Sequence, residues 1–168
     1  MVNITLSNVL KDALVKNGVD PDVDYVPAYG GESAGLDLYN AGESITIEPS
    51  YHNSLTRENS EKFKVLVPTG LKIQVPKGYV ALIQERGSVT KTPLKVRAGV
   101  IDCGYTGEIF INCINTSCNA YNIYKHQKLP FQVVVVKCDN SFNVISEEEY
   151  LDLTTNSIRK EGQVGSSD

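Results

Sequence analysis

Leu71-Lys72-Ile73-Gln74-Val75, then Pro76-Lys77-Gly78, then Tyr79-Val80-Ala81-Leu82-Ile83-Gln84 are two short runs of strand-forming residues joined by turn formers, and they decide the fold class. The first run alternates apolar and polar side chains, the period of a strand with one buried and one wet face. Working outward, Phe63 to Val67, Ile109 to Ile114 and Leu129 to Val136 are further runs of the same kind, with Pro68, Gly70, Gly87, Gly99, Gly104 and Gly107 breaking the chain at short intervals. Many short strands with closely spaced turn signals predict an all-β chain, an antiparallel sandwich or jelly roll. Upstream, Leu36 to Tyr39 and the pair Ile45 and Ile47, followed by Pro49, predict two more strands. Val133-Val134-Val135-Val136 is apolar on both sides of the pleat, so it predicts a strand covered on both faces, by a second sheet or a neighbouring subunit.

Outside this β pattern, one short helix is predicted over Asn8 to Asn17, capped by Ser7 and stopped by Gly18, with Val9, Leu10, Ala13 and Leu14 on its apolar face. Asp20 to Gly31 is turn-rich. Ser50 to Lys62 has no period and reads as an exposed loop. Beyond Ser146 the acidic Glu147-Glu148-Glu149 leads to a polar, glycine-rich tail, Arg159 to Asp168, which cannot fold alone and needs another surface to order on. The 168 residues fit one domain, with residues 1–31 as an N-terminal extension and 159–168 as a C-terminal arm.

Composition excludes several functions. Lys and Arg total 16 against 20 Asp and Glu, a net charge of -4, which argues against a broad nucleic-acid or anionic-membrane footprint but leaves room for a small anion held by local cations. The 4 cysteines are irregularly spaced without a Cys-x-x-Cys pair, and there are only 2 histidines, so a disulfide framework and most zinc hydrolases and zinc deaminases are set aside. Free, mostly buried thiols are expected instead. No apolar stretch approaches the ~20 residues of a membrane span, and Met1 opens no charged-then-apolar signal, so the expectation is a soluble, cytoplasmic protein, or one of the host cytoplasm or nucleus were the source viral.

The chemistry-bearing stretch is Arg97-Ala98-Gly99-Val100-Ile101-Asp102-Cys103-Gly104-Tyr105-Thr106-Gly107-Glu108, an acid and an aromatic ring in a turn bracketed by three glycines. From the residues alone two readings stand: a tight hairpin with Asp102 as a turn former, or a loop presenting backbone groups, Asp102 and Tyr105 to a flat ligand.

Gly99-Val100-Ile101-Asp102, Tyr105 and Gly107-Glu108 resemble the third motif of the trimeric deoxyuridine triphosphatase family, and Ala34-Gly35-Leu36-Asp37-Leu38 resembles its first. Val67-Pro68-Thr69-Gly70-Leu71 and Pro76 to Ile83 also look like that family's strands, so the resemblance covers roughly Ser33 to Asp168. It implies a distorted jelly-roll barrel of the β-clip type with a swapped glycine-rich C-terminal arm. It further implies a homotrimer with shared active sites and a magnesium-dependent hydrolysis of dUTP to dUMP and pyrophosphate. Such a reaction keeps uracil out of DNA and supplies dUMP for thymidylate synthesis.

Residue by residue, the resemblance makes Asp102 the general base that orients water at the α-phosphorus. Tyr105 would stack beneath the deoxyribose and leave no room for a 2'-hydroxyl. The backbone from Gly99 through Val100 and Ile101 to Gly104 would read the uracil edge. Arg86, with Gly87 and Ser88, matches the second motif and would bind phosphate, although the family more often has serine directly after the arginine. Asp37 would hold waters of a magnesium ion chelated by the triphosphate. In the fourth motif, Gln127-Lys128-Leu129-Pro130-Phe131-Gln132, either Phe131 replaces the family's glutamine or a shift by one makes Gln132 the phosphate contact, with Lys128 as its basic partner. In the tail Arg159 would fork onto the γ-phosphate, the amides of Gly162, Gly165 and Ser166 would form an anion nest, and Val164 stands where the family has a uracil-covering phenylalanine. Two alternatives stand beside this reading. One is a related dCTP deaminase-like enzyme, disfavoured because its proton-shuttling glutamate is Asn112 here; the other is a non-catalytic trimeric scaffold that binds nucleotide or a partner.

Overall fold

The computed structural model describes residues 2–22, 25–50, 65–139 and 141–155. In chain order these form β1 (Asn3–Leu6), α1 (Asn8–Lys16), β2 (Leu36–Tyr39), β3 (Ile45–Ile47), β4 (Val65–Pro68), β5 (Leu71–Gln74), β6 (Tyr79–Glu85), β7 (Leu94–Arg97), β8 (Val100–Ile101), β9 (Phe110–Asn115), β10 (Tyr121–Ile123), β11 (Lys128–Lys137) and α2 (Glu147–Thr154). The predicted all-β jelly roll is what is found: every strand pairs antiparallel with its neighbours. One sheet runs β2-β11-β6-β8, a second β4-β9-β7, and β1-β5 and β10-β3 form two smaller ribbons.

The core lies where alternation aims it. Leu71, Ile73, Ala81, Ile83, Ile111, Cys113, Leu129, Phe131 and Val133 point inward from successive strands and are buried. Burial of a side chain such as Phe131 stabilises the fold by about 1.5–3 kcal/mol. Two buried asparagines close the loops at the ends of the strands. Asn40 Nδ2 donates to Glu43 O and Tyr124 O while its Oδ1 accepts from Gly42 N–H. Asn115 Nδ2 donates to Ile47 O and Asn119 O while its Oδ1 accepts from the Ser117 amide and hydroxyl. Each replaces backbone pairing that the turn cannot supply, and full satisfaction is what makes a buried amide tolerable.

Helix α1 forms as its sequence requires: Ser7 Oγ accepts from the Leu10 amide at 3.2 Å, and Gly18 takes φ +73° beyond the last turn. Leu10, Ala13 and Leu14 are buried, whereas Val9 is 40 % exposed, so the apolar stripe is narrower than predicted. The valine run also differs from expectation within one chain. Val133 is buried, Val134 and Val135 are half-buried and Val136 is exposed, because the core covers only the inner face. The thiols are less uniform than expected: Cys113 is buried, but Cys103 and Cys118 are exposed in turns. Strands β1, β7, β8 and β10 and helix α2 were not predicted; α2 is capped by Ser146 Oγ on the Glu149 amide and buries none of its residues. The loop predicted from Ser50 lies, after its first residue, outside the described residues. So does the arm with Arg159, Gly162, Val164, Gly165 and Ser166. Among the described residues no helix is long and apolar enough to cross a membrane.

Candidate active site

The central strands set the site's geometry through their register. Gln132 on β11 stands opposite Asp37 on β2 and Gln84 on β6, and two residues on, Val134 stands opposite Leu82, which in turn faces Val100 on β8. Side chains two apart share a face. One outer face of the sheet therefore carries Asp37, Gln132 and Gln84 toward one end, an apolar band of Val134, Leu82 and Val100, and then, past β8, Asp102.

At the first end three sequence motifs meet. Asp37 is 15 % exposed and holds two cations: Arg86 Nε at 2.6 Å on Oδ1 and Lys128 Nζ at 2.5 Å on Oδ2. Arg86 is placed by its own backbone, whose amide donates to Pro130 O at 2.9 Å just where β6 gives way to a short 3-10 segment, Gly87–Lys91. Lys128 sits 5.9 Å from the centre of the Tyr39 ring, a cation–π contact, and Tyr25 Oη donates to the Asp37 carbonyl at 2.8 Å. Burial pushes the Tyr25 hydroxyl well above its usual range and raises that of Tyr39, so both rings stay neutral beside the charges. Gln132 Nε2 donates to Glu85 O at 3.4 Å, and its side chain lies against Gly35, where a Cβ would come within 2.5 Å of the amide oxygen. Phe131 is fully buried in the core, so between the two readings of the fourth motif only Gln132 is available to a ligand. Gly87 and Ser88 are exposed in the 3-10 segment beyond Arg86.

The second end is the hairpin after β7. Ala98 takes φ 51°, a left-handed turn uncommon for a residue with a Cβ, and Gly99 packs so tightly that a Cβ would come within 2.8 Å of Ile83 O. The Ile83 amide donates to Gly99 O at 2.7 Å, which draws the hairpin onto β6. Strand β8 then lies at the edge of the sheet, so one row of its backbone donors and acceptors faces away from β6. Asp102, Tyr105, Val100, Ile101 and Phe110 help line a cavity of about 200 Å³ beside that edge. Both Asp102 and Tyr105 are exposed to it, and Asp102 O accepts from the Tyr105 amide at 3.1 Å to close the turn.

The two ends are joined by β6 but stand apart. Leu82 pairs with Val100 and Ala81 with Ile101, so the hairpin runs back toward residue 80 while Arg86 lies beyond the other end of the strand. Six residues of strand is about 20 Å at ~3.3 Å per residue. Within one chain the structure thus brings Asp37, Arg86, Lys128 and Gln132 together, and separately Gly99, Val100, Ile101, Asp102 and Tyr105. Sequence reasoning missed Tyr39 and Tyr25. Tyr39 was within reach of it, being two residues from Asp37 on one strand, whereas nothing local marks Tyr25.

The sequence model of the dUTPase family matches residues 24–168. This chain belongs to the dUTPase family. The match begins nine residues before Ser33, where the motif resemblance starts, and takes in Tyr25. Among relatives, a deoxyuridine 5'-triphosphate nucleotidohydrolase of Chlamydia felis is 31 % identical over 156 residues, spanning 90 % of this chain and 95 % of its own. One from Bordetella avium is 34 % identical over 130 residues, 74 % of this chain and 79 % of its own. Among solved structures, the Staphylococcus bacteriophage 80alpha dUTPase with dUPNHPP superposes with a TM-score of 0.71 at 21 % identity, covering 100 % of this chain and 98 % of that one. The EIAV dUTPase does so with a TM-score of 0.61 at 23 % identity, over 88 % and 98 %. At that identity the structural likeness speaks for the fold.

Proposed function

We propose that this dUTPase family member hydrolyses dUTP to dUMP and pyrophosphate, with Asp102 as general base and magnesium arriving on the substrate. The observation that carries the reading is the meeting of Asp37, Arg86, Lys128 and Gln132, from three separate motifs, on the face that bears Asp102 at its other end. Arg86 and Lys128 supply the charge a triphosphate needs, and Gln132 a neutral donor beside them. An incoming triphosphate competes with the Asp37 carboxylate for both cations and releases that carboxylate.

Among the described residues no three acidic, histidine or cysteine side chains gather as a metal cage. The lone Asp37 carboxylate, once released from Arg86 and Lys128, would hold waters of a magnesium ion carried by the phosphates, a contact suited to a cation that keeps much of its hydration. Bound so, the ion would neutralise phosphate charge. The chain's own groups do the rest. The β8 edge offers donors and acceptors to the uracil, Tyr105 forms a wall at the sugar, and Asp102 accepts the proton of the attacking water.

A base and a phosphate clamp about 20 Å apart along one strand are supplied most simply by two copies, the hairpin of one facing the cation cluster of the next. The outward band of half-buried Val134 and Leu82 and exposed Val100 between them is the surface such a neighbour would bury, in line with a homotrimer with shared sites. The arm 159–168 would add phosphate amides, and its Val164 a weaker cover for uracil than an aromatic ring. The test is product analysis with magnesium and each of dUTP, dCTP, dTTP and UTP. dUMP and pyrophosphate from dUTP alone is the expected result; deaminated product from dCTP, or binding with no turnover of any substrate, would overturn it.

A further inference from the structure

The ring of Tyr105 is held by the residues that follow it. Its hydroxyl donates to Glu108 O at 2.7 Å, and the side chain folds back over Gly107, where a Cβ would come within 2.5 Å of the hydroxyl oxygen and 2.7 Å of Cζ. The side chain of Glu108 makes a different, long-range bond: its Oε1 accepts from the Gly70 amide at 2.8 Å. Around that bond the base of the hairpin is stitched to the turn between β4 and β5. Thr69 Oγ1 donates to Ile109 O at 2.6 Å, and the Ile109 amide donates to Leu71 O at 2.8 Å.

Gly70 leaves this turn little freedom. It takes φ +66°, and a Cβ there would come within 2.2 Å of Ser7 Oγ and 2.8 Å of Leu10 Cβ. Its carbonyl accepts from the Ser7 amide at 2.8 Å, and Ser7 Oγ caps α1. A continuous chain of hydrogen bonds therefore leads from the Tyr105 hydroxyl through Glu108 and Gly70 to the start of α1, a helix that precedes the first residue of the family match.

We propose that Glu108 is a positioning residue for sugar discrimination, its carboxylate anchoring the hairpin to Gly70 while its carbonyl fixes the Tyr105 ring. The inference rests on the reading of Tyr105 as the wall against the sugar. Steric rejection of one hydroxyl works only if the wall does not yield, because functional groups must be held to within ~0.5 Å by the contacts behind them. An ionised carboxylate accepting a backbone amide is a strong bond of the kind that sets such a position.

The test compares kcat/KM for dUTP and UTP, with magnesium, in the wild type, Glu108→Ala, Glu108→Gln, Tyr105→Phe and Tyr105→Ala. Glu108→Ala is expected to lower the dUTP-to-UTP ratio about tenfold, the scale of one charge-assisted hydrogen bond. A general loss of folding would lower both substrates alike and leave the ratio where it was. Glu108→Gln should restore most of the ratio, since its amide oxygen accepts the same N–H. Tyr105→Phe, which keeps the ring and loses only its bond to Glu108 O, should lower it. If Tyr105→Ala collapses the ratio while Glu108→Ala or Tyr105→Phe keeps the wild-type value, the anchor is refuted and the site reading stands. If glutamine does as badly as alanine, the hydrogen bond is not what matters and the proposal falls. If the wild type does not prefer dUTP, or Tyr105→Ala leaves the preference intact, the site reading falls and this inference with it.

Discussion

Replacing Asp37 by asparagine keeps the side chain's size and removes the charge that two cations share. Arg86, 26 % exposed, and Lys128, 40 % exposed, would then face each other across a neutral amide. Breaking a fully buried pair costs about 3–5 kcal/mol. An exposed one is worth about 0–1 kcal/mol. The Arg86 contact lies nearer the first limit and the solvated Lys128 contact nearer the second, and asparagine still offers an acceptor oxygen. The expected loss is about 2 kcal/mol, a fall in Tm of roughly 4–8 °C for a chain this size. Thermal or urea unfolding reads it directly, and raising the salt should shrink the difference only slightly because the carboxylate is largely buried. The same variant should respond more than the wild type to inorganic pyrophosphate, which supplies the missing negative charge. Unfolding within ~0.5 kcal/mol of wild type, or no greater gain from pyrophosphate, would show that Asp37 does not neutralise these cations.

Asp102→Asn should bind dUTP with little change yet lose about 10²–10⁴ in kcat, since a neutral amide cannot take the proton; turnover near wild type would remove the base from that residue. Burial pushes the Cys113 thiol up from 9.0 to about 12, so the folded chain keeps its proton where the unfolded chain loses it. That contribution is complete below pH 9.0 and disappears as pH rises through about 12, so stability should fall across this window, and less so in Cys113→Ala once its cavity cost is subtracted. Asn115→Ala removes the amide from Ile47 O and from the Ser117 N–H, while Asn119 O keeps the Ser117 hydroxyl as donor, and should cost about 2 kcal/mol in urea unfolding; a near-neutral result would mean that water replaces the amide.

The strands legible in the sequence were those that alternate or are flanked by glycine and proline. Leu36–Tyr39 and Ile45–Ile47 fall where the pattern put them, and the other predicted strands agree to within a residue or two at the ends described. Strands β1, β7, β8 and β10 were not legible: no longer than the legible β2 and β3, each lies beside a stronger helix or turn signal, and its pairing comes from a distant partner, as Asn3's does from Gln74 and Tyr121's from Ile47. The site was legible through motif order, which pointed to Asp37, Arg86, Lys128 and Gln132 before any geometry. What motif order does not contain is distance. That Arg86 grips Asp37, or that the hairpin turns away from both, follows from antiparallel register, and register is fixed by the whole sheet.

In the shared-site arrangement proposed above, the separation of cation cluster and hairpin along β6 reaches into genetics. A chain crippled at Asp102 still carries an intact cation cluster, and one crippled at Asp37 still carries an intact hairpin. In a ring where each hairpin serves the next copy's cluster, an equal mixture of the two dead proteins regenerates about a quarter of the sites. Two alleles, each null alone, would then complement one another, whereas a chain carrying both lesions would spoil two of the three sites in a trimer whose other copies are intact.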